Sequence, residues 1–215
     1  MLRLACLIKV QQLFWLRYMI NLQGLRIVNT RPASRAQTLT DALQDHGATV
    51  LALPLLEVEA IPVSPRAKQC LLDLDRYQMV FVVSPTAAEL GLKALADYWP
   101  QWPVDVAWLA VGDSTAQVLQ SYLINPIVPQ QETSEGLLQL PQLQELQQGQ
   151  RLLVLRGEGG RNLVRDTMQA QGVQVDYVDL YRRQLPVVAP LTWQILQTQN
   201  LDVVRVDEAR QLLLI

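Results

Sequence analysis

The sequence predicts an α/β protein made of two similar lobes, each built on a parallel sheet. From Leu25 onward, short apolar runs alternate with helix-period segments, the pattern of successive βα units. An internal repeat divides that pattern in two. RIVNTRPASRAQTLTDALQDHGATVLALPLL, starting at Arg26, aligns with RLLVLRGEGGRNLVRDTMQAQGVQVDYVDLY, starting at Arg151. Arg31 then meets Arg156, Gly47 meets Gly172 and Leu56 meets Tyr181, each pair 125 positions apart. Both copies read strand, arginine-bearing loop, helix, glycine stop, strand, and three landmarks at one offset indicate duplication. Two such lobes imply a cleft between them.

Strands are expected at Leu25–Asn29, Thr49–Leu53, Met79–Val83, Ala107–Val111, Pro126–Val128, Arg151–Leu155 and Gln174–Val178, where β-branched and apolar residues run for a few positions. The helices between them carry their own punctuation. Ser84-Pro85 sets a capping hydroxyl before a proline at the first helical position, where the missing N–H costs nothing. Gly47 and Gly172 follow helix ends, where glycine accepts the left-handed conformation. His46, the one histidine, falls at a helix C-terminus and reads as a surface residue favoured there by the helix dipole. The glutamine-rich stretch Gln139–Gln150 reads as a solvated helix and loop.

Half of the 215 residues are apolar, enough for a sizeable core. A formal net charge of −2 gives no general attraction to nucleic acid or to an acidic membrane, so neither is expected as a partner. Any anionic ligand must instead be held by local arginines and backbone amides. Cys6 and Cys70 form no CxxC or Cys/His cluster, which argues against a disulfide framework or structural zinc and fits a reducing, cytoplasmic setting. Met1–Ile20 is apolar and basic, but Lys9, Gln11 and Gln12 interrupt it and no small-residue cleavage site follows. It makes a poor signal peptide or membrane span. The expected reading is an appended amphipathic segment or an over-extended start with Met19 as the natural first residue; a surface-binding helix is the alternative.

The repeat also predicts what should follow its second copy. Adding the offset places the counterpart of Met79 near Val204. Leu201–Val204 begins as expected, but Arg205 and Asp207 break the apolar run, and no counterpart of VGDSTA precedes Ile215. The expectation is a lobe lacking its final strands and helices, with an exposed sheet edge prone to self-association.

Familiar catalytic sets are missing. A single histidine excludes Ser-His-Asp, Cys-His and HExxH arrangements. RGEGGR, at Arg156–Arg161, has neither GxxxxGK[ST] nor a complete GxGxxG, so it is a weak phosphate-loop signal. What the chain offers is a series of loops at strand ends, each leading into a helix: TRP (Thr30–Pro32), SPT (Ser84–Thr86), GDST (Gly112–Thr115), TSEG (Thr133–Gly136) and RGEGGR. Unpaired N–H groups at the positive end of a helix suit carboxylates or phosphates, and open α/β sheets bind ligands along this edge. Capping alone would explain any one loop. Several on one edge, with Arg31, Arg156 and Arg161 among them, favour a polyanion site.

Taken in order and spacing, TRP, FVVSPTA, LAVGDSTA, TSEGLL, VLRGEGGR and VDLYRR resemble uroporphyrinogen-III synthases over roughly Leu25–Arg183. The resemblance implies two Rossmann-like or flavodoxin-like lobes joined by a two-stranded connector, with crossings near Leu56–Glu59 and Tyr181–Gln184. The domains would be 25–57 with 184–215, and 58–183, preceded by an extension over 1–24. It further implies cyclisation of the linear tetrapyrrole hydroxymethylbilane to uroporphyrinogen III, with inversion of ring D and loss of water, using neither metal nor cofactor. Tyr181 is the implied catalytic residue, as a general acid toward the departing hydroxyl; interdomain packing is its bland alternative. Ser84 and Thr115 match cleft-lining positions. Thr30, Arg31, Thr86, Gly112, Ser134, Arg156, Gly157 and Arg161 are expected to bind substrate. Competing readings are a two-lobed small-anion binding module, a nucleotide-sugar transferase, and an inactive truncated product.

Overall fold

The computed structural model describes residues 21–186 and 203–205. The readings of Met1–Ile20 and of the chain after Arg205 lie outside the described residues. Contacts divide the chain into two compact units, Met1–Glu57 with Gln184–Ile215, and Val58–Arg183.

In the first unit, β1 (Arg26–Asn29), β2 (Thr49–Ala52) and β8 (Val203–Arg205) form a parallel sheet in the order β2-β1-β8. Helix α1 (Ala33–Asp45) connects β1 to β2 and buries Ala36 and Leu39, three positions apart on one face. Asn29 fastens the end of β1 to that helix. Its side-chain amide donates to the Ala36 carbonyl at 3.1 Å and to Thr40 Oγ1 at 3.0 Å, while its Oδ1 accepts from the Arg31 N–H at 3.2 Å. Such pairing is what a fully buried amide requires. His46 caps α1, its Nδ1 2.7 Å from the Ala42 carbonyl, and Gly47 follows at φ +91°.

The second unit is a five-stranded sheet in the order β3-β7-β6-β4-β5, made of β3 (Glu57–Ala60), β4 (Met79–Val82), β5 (Ala107–Ala110), β6 (Arg151–Gly157) and β7 (Gln174–Gln184). Its helices are α2 (Pro65–Leu72), α3 (Pro85–Ala96), α4 (Asp113–Ser121), α5 (Ser134–Leu138), α6 (Pro141–Gln144) and α7 (Leu163–Ala170). The period-2 alternation of the strands sorts the core into two layers. Val80, Val82, Leu153 and Leu155 pack with α2, α3 and α4, while Met79, Phe81, Leu152 and Val154 pack with α5, α6 and α7. Both faces of β4 and β6 are therefore covered, which is why these strands read as unbroken apolar runs. Ser64, Ser84 and Thr133 cap α2, α3 and α5, each accepting a backbone N–H three residues on.

The repeat is reproduced down to register. Arg26 pairs with Thr49 in β1–β2, and Arg151 with Gln174 in β6–β7, again 125 positions apart. On the other side, β8 sets Val203 against Ile27 as β4 sets Met79 against Leu152, so β8 holds in its unit the place β4 holds in the other. Arg205 is the last residue described in this strand, paired with Asn29.

Three expectations need correction. Pro126–Val128 makes only an isolated bridge, Ile127 to Leu109, because Pro126 and Pro129 supply no N–H for a longer ladder. Gln139–Gln150 is not merely solvated. Leu143 is wholly buried and Leu146 nearly so, because the leucines turn into the α5–α7 layer while most glutamines face out. Finally, β7 continues past Val178 to Gln184, flanked by β3. Among the described residues, no helix is long and apolar enough to cross a membrane.

Candidate active site

The C-terminal end of β7 supplies the centre of the site. Up to Arg156, β6 and β7 run in step. Then Arg156 pairs with Asp179 and Gly157 with Tyr181, leaving Leu180 as an extra residue. Such a bulge re-aims the side chains beyond it. Tyr181 becomes almost wholly buried, and its hydroxyl lies 3.0 Å from Ser84 Oγ. Ser84 already accepts the Ala87 N–H at 3.1 Å as the cap of α3. The hydroxyl pair thus sits at the positive end of a helix, in a chain of three hydrogen-bonding groups. When Ser84 donates to Tyr181, the phenolic proton is left to donate elsewhere, with its polarity reinforced by the groups behind it. Gly157 makes room for this arrangement. A Cβ there would stand 2.5 Å from Tyr181 Cε2 and Cζ.

Next to Tyr181 lies a pocket of about 130 Å³, lined by apolar Phe81, Val154 and Val164 and by polar groups from β6, β7 and the loops after β6. Arg156 Nε donates to Asp179 Oδ1 at 2.7 Å, and its guanidinium lies 3.8 Å from the centre of the Tyr177 ring. Arg165 lies 3.9 Å from the same centre. Tyr177 thus carries cation–π contacts from two guanidiniums. Arg183 adds a third cation 5.8 Å from the Tyr181 ring centre. The pocket thus brings Arg156, Arg161 and Arg183 together with Glu158, and two of these guanidiniums are paired with the carboxylates of Asp179 and Glu135.

The pocket gathers five of the expected residues: Ser134, Arg156, Gly157, Arg161 and Tyr181. Ser84 joins through its bond to Tyr181. Thr86, Gly112 and Thr115 of the same unit do not line it. Thr86 is in the first turn of α3. Gly112 caps α4, with the Glu132 carboxylate against it, and Thr115 is completely buried with no hydrogen-bond partner for its hydroxyl among the described residues. Thr30 and Arg31 belong to the first unit, where Thr30 is buried and accepts the Leu55 N–H through its carbonyl at 3.2 Å. Arg161 donates to Glu135 at 2.8 Å. The Glu135 carboxyl is held below its ordinary range, first by its own backbone N–H at the start of α5 and then by Arg161.

Sequence reasoning missed Tyr177, Asp179, Arg183, Arg165, Glu132 and Glu135. The first two were accessible. In VDYVDLYRR, Tyr177 and Asp179 stand two apart, the signal of one strand face, but the bulge at Leu180 breaks that alternation before Tyr181 and Arg183. The acidic pair was not, because its partners come from other loops.

A second polar cluster marks the opposite end of the sheet. Asp176 Oδ2 accepts from the Tyr77 hydroxyl at 3.0 Å and from Arg151 Nη2 at 3.1 Å, and Arg151 stacks 4.3 Å from the Tyr77 ring centre. Burial alone would raise the Asp176 carboxyl, but hydrogen bonds from Arg151 and Tyr77 outweigh it and hold the group below its usual range. Burial pushes the Tyr77 hydroxyl in the other direction, well above its ordinary value. These groups join the starts of β6 and β7 to the turn before β4, so their role is structural.

A family model described as uroporphyrinogen-III synthase HemD matches residues 37–206. The chain is 33% identical to the uroporphyrinogen-III synthase of Salmonella typhimurium and 34% to that of Escherichia coli. Each match covers 74% of this chain and 65% of the relative. The Proteus mirabilis enzyme is 32% identical, with 80% of its length covered. The chain therefore spans somewhat under two-thirds of the length of the Salmonella and Escherichia relatives. Among solved structures, a mutant uroporphyrinogen III synthase from Thermus thermophilus superposes with a TM-score of 0.59 at 18% identity, over 76% of this chain and 64% of that one. At that identity the likeness speaks for the fold.

Proposed function

The chain belongs to the uroporphyrinogen-III synthase family, and from that premise we propose that it converts hydroxymethylbilane to uroporphyrinogen III with Tyr181 as general acid. The observation that carries the proposal is the Tyr181–Ser84 hydroxyl pair at the N-terminus of α3, beside a pocket rich in arginine. The Tyr181 proton passes to the terminal hydroxyl of the substrate. The carbon–oxygen bond breaks, water leaves, and an azafulvene cation remains. Ring D is attacked at its substituted carbon to give a spiro intermediate, whose fragmentation and reclosure leave ring D inverted. Loss of the final pyrrole proton returns a proton to the phenolate.

Such chemistry depends on positioning: the same cation can close at the wrong carbon, so the carboxylate arms must be held while the ring turns. Arg156, Arg161, Ser134 and the backbone at Gly157 are the groups assigned to hold them. For Thr30, Arg31, Thr86, Gly112 and Thr115, family resemblance alone supports a binding role. The proposal includes a cytosolic setting, in keeping with two cysteines that form no metal or redox motif; recovery of the activity with membranes would count against it.

The test is incubation of the purified chain with fresh hydroxymethylbilane and separation of isomers I and III. Isomer I alone, which forms spontaneously, rejects the activity, and binding without turnover favours an anion-binding module. In an active preparation, Tyr181→Phe should slow turnover about 10²–10⁴-fold, the usual contribution of a general acid, with little change in substrate affinity. An unchanged rate would sink the acid role.

A further inference from the structure

The helix that Ser84 caps also grips the strand that carries Tyr181. Gly91 lies inside α3, two turns beyond Ser84, and is buried. Glycine is a poor helix former, and alanine fills the neighbouring core positions Ala87 and Ala88 of the same helix. Space explains the exception. A Cβ on Gly91 would stand 2.8 Å from Leu155 Cδ1 and 3.2 Å from Leu180 Cδ1. Leu155 is wholly buried and Leu180 nearly so, in the core cluster that also holds Tyr181, so neither side chain has open space to swing into. Leu180 is the extra residue of the β7 bulge and the one immediately before Tyr181. The backbone is held at both residues. The Leu180 carbonyl accepts the Ile61 N–H at 3.0 Å, and the Tyr181 carbonyl accepts the Glu158 N–H at 2.7 Å. Helix α3 therefore meets this end of β7 twice: Gly91 receives Leu180, and Ser84 bonds the Tyr181 hydroxyl. A helix is stiff over the two turns between these contacts, about 10 Å, so the seating of one fixes the other.

We propose that Gly91 and Leu180 are positioning residues that set the Ser84–Tyr181 hydroxyl pair through the seating of α3 on the bulge. The inference rests on the reading of Tyr181 as the acid. A bulge re-aims the side chains beyond it, and the closeness of Leu180 to Gly91 decides how far Tyr181 turns toward α3. Carbon atoms rest about 3.5–4.0 Å apart, so a methyl group at Gly91 must drive α3 from β6 and β7 by roughly 0.7 Å or more. The 3.0 Å contact at Ser84 then passes the limit of a hydrogen bond. Shortening Leu180 gives the same methyl group room, because Leu155 can move into the space vacated beside it.

The experiment uses the full chain with Gly91→Ala, Leu180→Ala, both together, and Tyr181→Phe with and without Gly91→Ala. Crystal structures give the Ser84–Tyr181 distance, and single-turnover formation of isomer III gives the rate. Gly91→Ala should lengthen the contact beyond about 3.5 Å and slow turnover about tenfold, with substrate affinity little changed. Leu180→Ala should slow turnover as well, and the double variant should return to within about threefold of the parent and restore the contact. In the Tyr181→Phe background Gly91→Ala should add nothing. A role in packing alone would lower the melting temperature and leave these rates in place. An unmoved contact in both single variants, a double variant slower than either one, or an equal slowing by Gly91→Ala in the Tyr181→Phe background would overturn the inference. Should Gly91→Ala fail to fold, Leu180→Ala decides by the same two readouts, and parent-like values in both would overturn the inference. A contact lengthened and restored without isomer III from any form keeps the positioning role and rejects the activity; isomer III with an unmoved contact does the reverse.

Discussion

Gly157 offers a direct way to test whether the position of Tyr181 governs the reaction. Its φ lies outside the left-handed region, so alanine brings no backbone penalty and acts through space alone. The new Cβ would stand 2.5 Å from Cε2 and Cζ and 3.0 Å from Cδ2 of Tyr181. Carbon atoms rest at about 3.5–4.0 Å, so the ring must withdraw by roughly 1 Å. The Ser84–Tyr181 contact of 3.0 Å would then stretch beyond hydrogen-bonding range. A misplacement of about 1 Å is worth about 10²-fold in rate, or roughly 2.7 kcal/mol in barrier height. Overpacking should also destabilise the fold by about 1–3 kcal/mol. The assay is single-turnover formation of isomer III at saturating substrate, beside a thermal melt at the same pH. Gly157→Ala combined with Tyr181→Phe should be no slower than Tyr181→Phe alone, since both remove one function. A folded Gly157→Ala variant with more than half the parent rate would refute the argument.

Ser84→Ala should lower the rate less than Tyr181→Phe, by about tenfold, because the phenol keeps its proton but loses its partner; it should also cost about 1 kcal/mol through the lost cap, read by thermal melt. Asp176→Asn should destabilise the protein by about 1–3 kcal/mol without altering isomer selectivity, as its acceptor role for Tyr77 and Arg151 is weakened far from the pocket. The same carboxyl has a folded-state pKa below its unfolded value of about 3.9, so its contribution is complete above that value and is lost as pH falls through the folded pKa. Denaturation titrations below about pH 4 should show a smaller acid-induced loss in Asp176→Asn than in the parent. Gly172→Ala should cost about 1 kcal/mol, since φ is +80° there, and a denaturant midpoint unchanged from the parent would contradict the left-handed stop.

Local pattern and repetition were enough to read the frame of both units. The strand–helix–strand order, the glycine stops and the offset between Arg26 and Arg151 are short-range or self-similar features, and the register repeats them. The site was legible only in part. Ser84 and Tyr181 are separated by 97 positions, and nothing local to either one signals their hydrogen bond. The bulge at Leu180 depends on how two strands fall out of step, which a single strand cannot disclose. Glutamine content hid Leu143 and Leu146, because composition averages over the faces of a helix. The contacts of Glu132 with the Asp113 N–H and of Glu135 with Arg161 span 19 and 26 positions, so nothing local to either glutamate announces them.

The adjacency of β3 and β7 has a consequence for synthesis. One strand leads the chain into the second unit and the other leads it out, with Glu59 held to Arg182 at 2.8 Å. The second unit is continuous in sequence and can form as soon as it leaves the ribosome. The first is split and must wait for residues beyond Gln184. Joining its halves across an unfolded stretch of that length would carry a loop-closure penalty of roughly 4 kcal/mol. Once the inserted unit has folded, its paired strands already hold the two ends side by side, and most of that penalty has been met. The insert thus acts as a clasp for its host, and substitutions that loosen the clasp should delay maturation of the first unit even where they leave its own residues untouched.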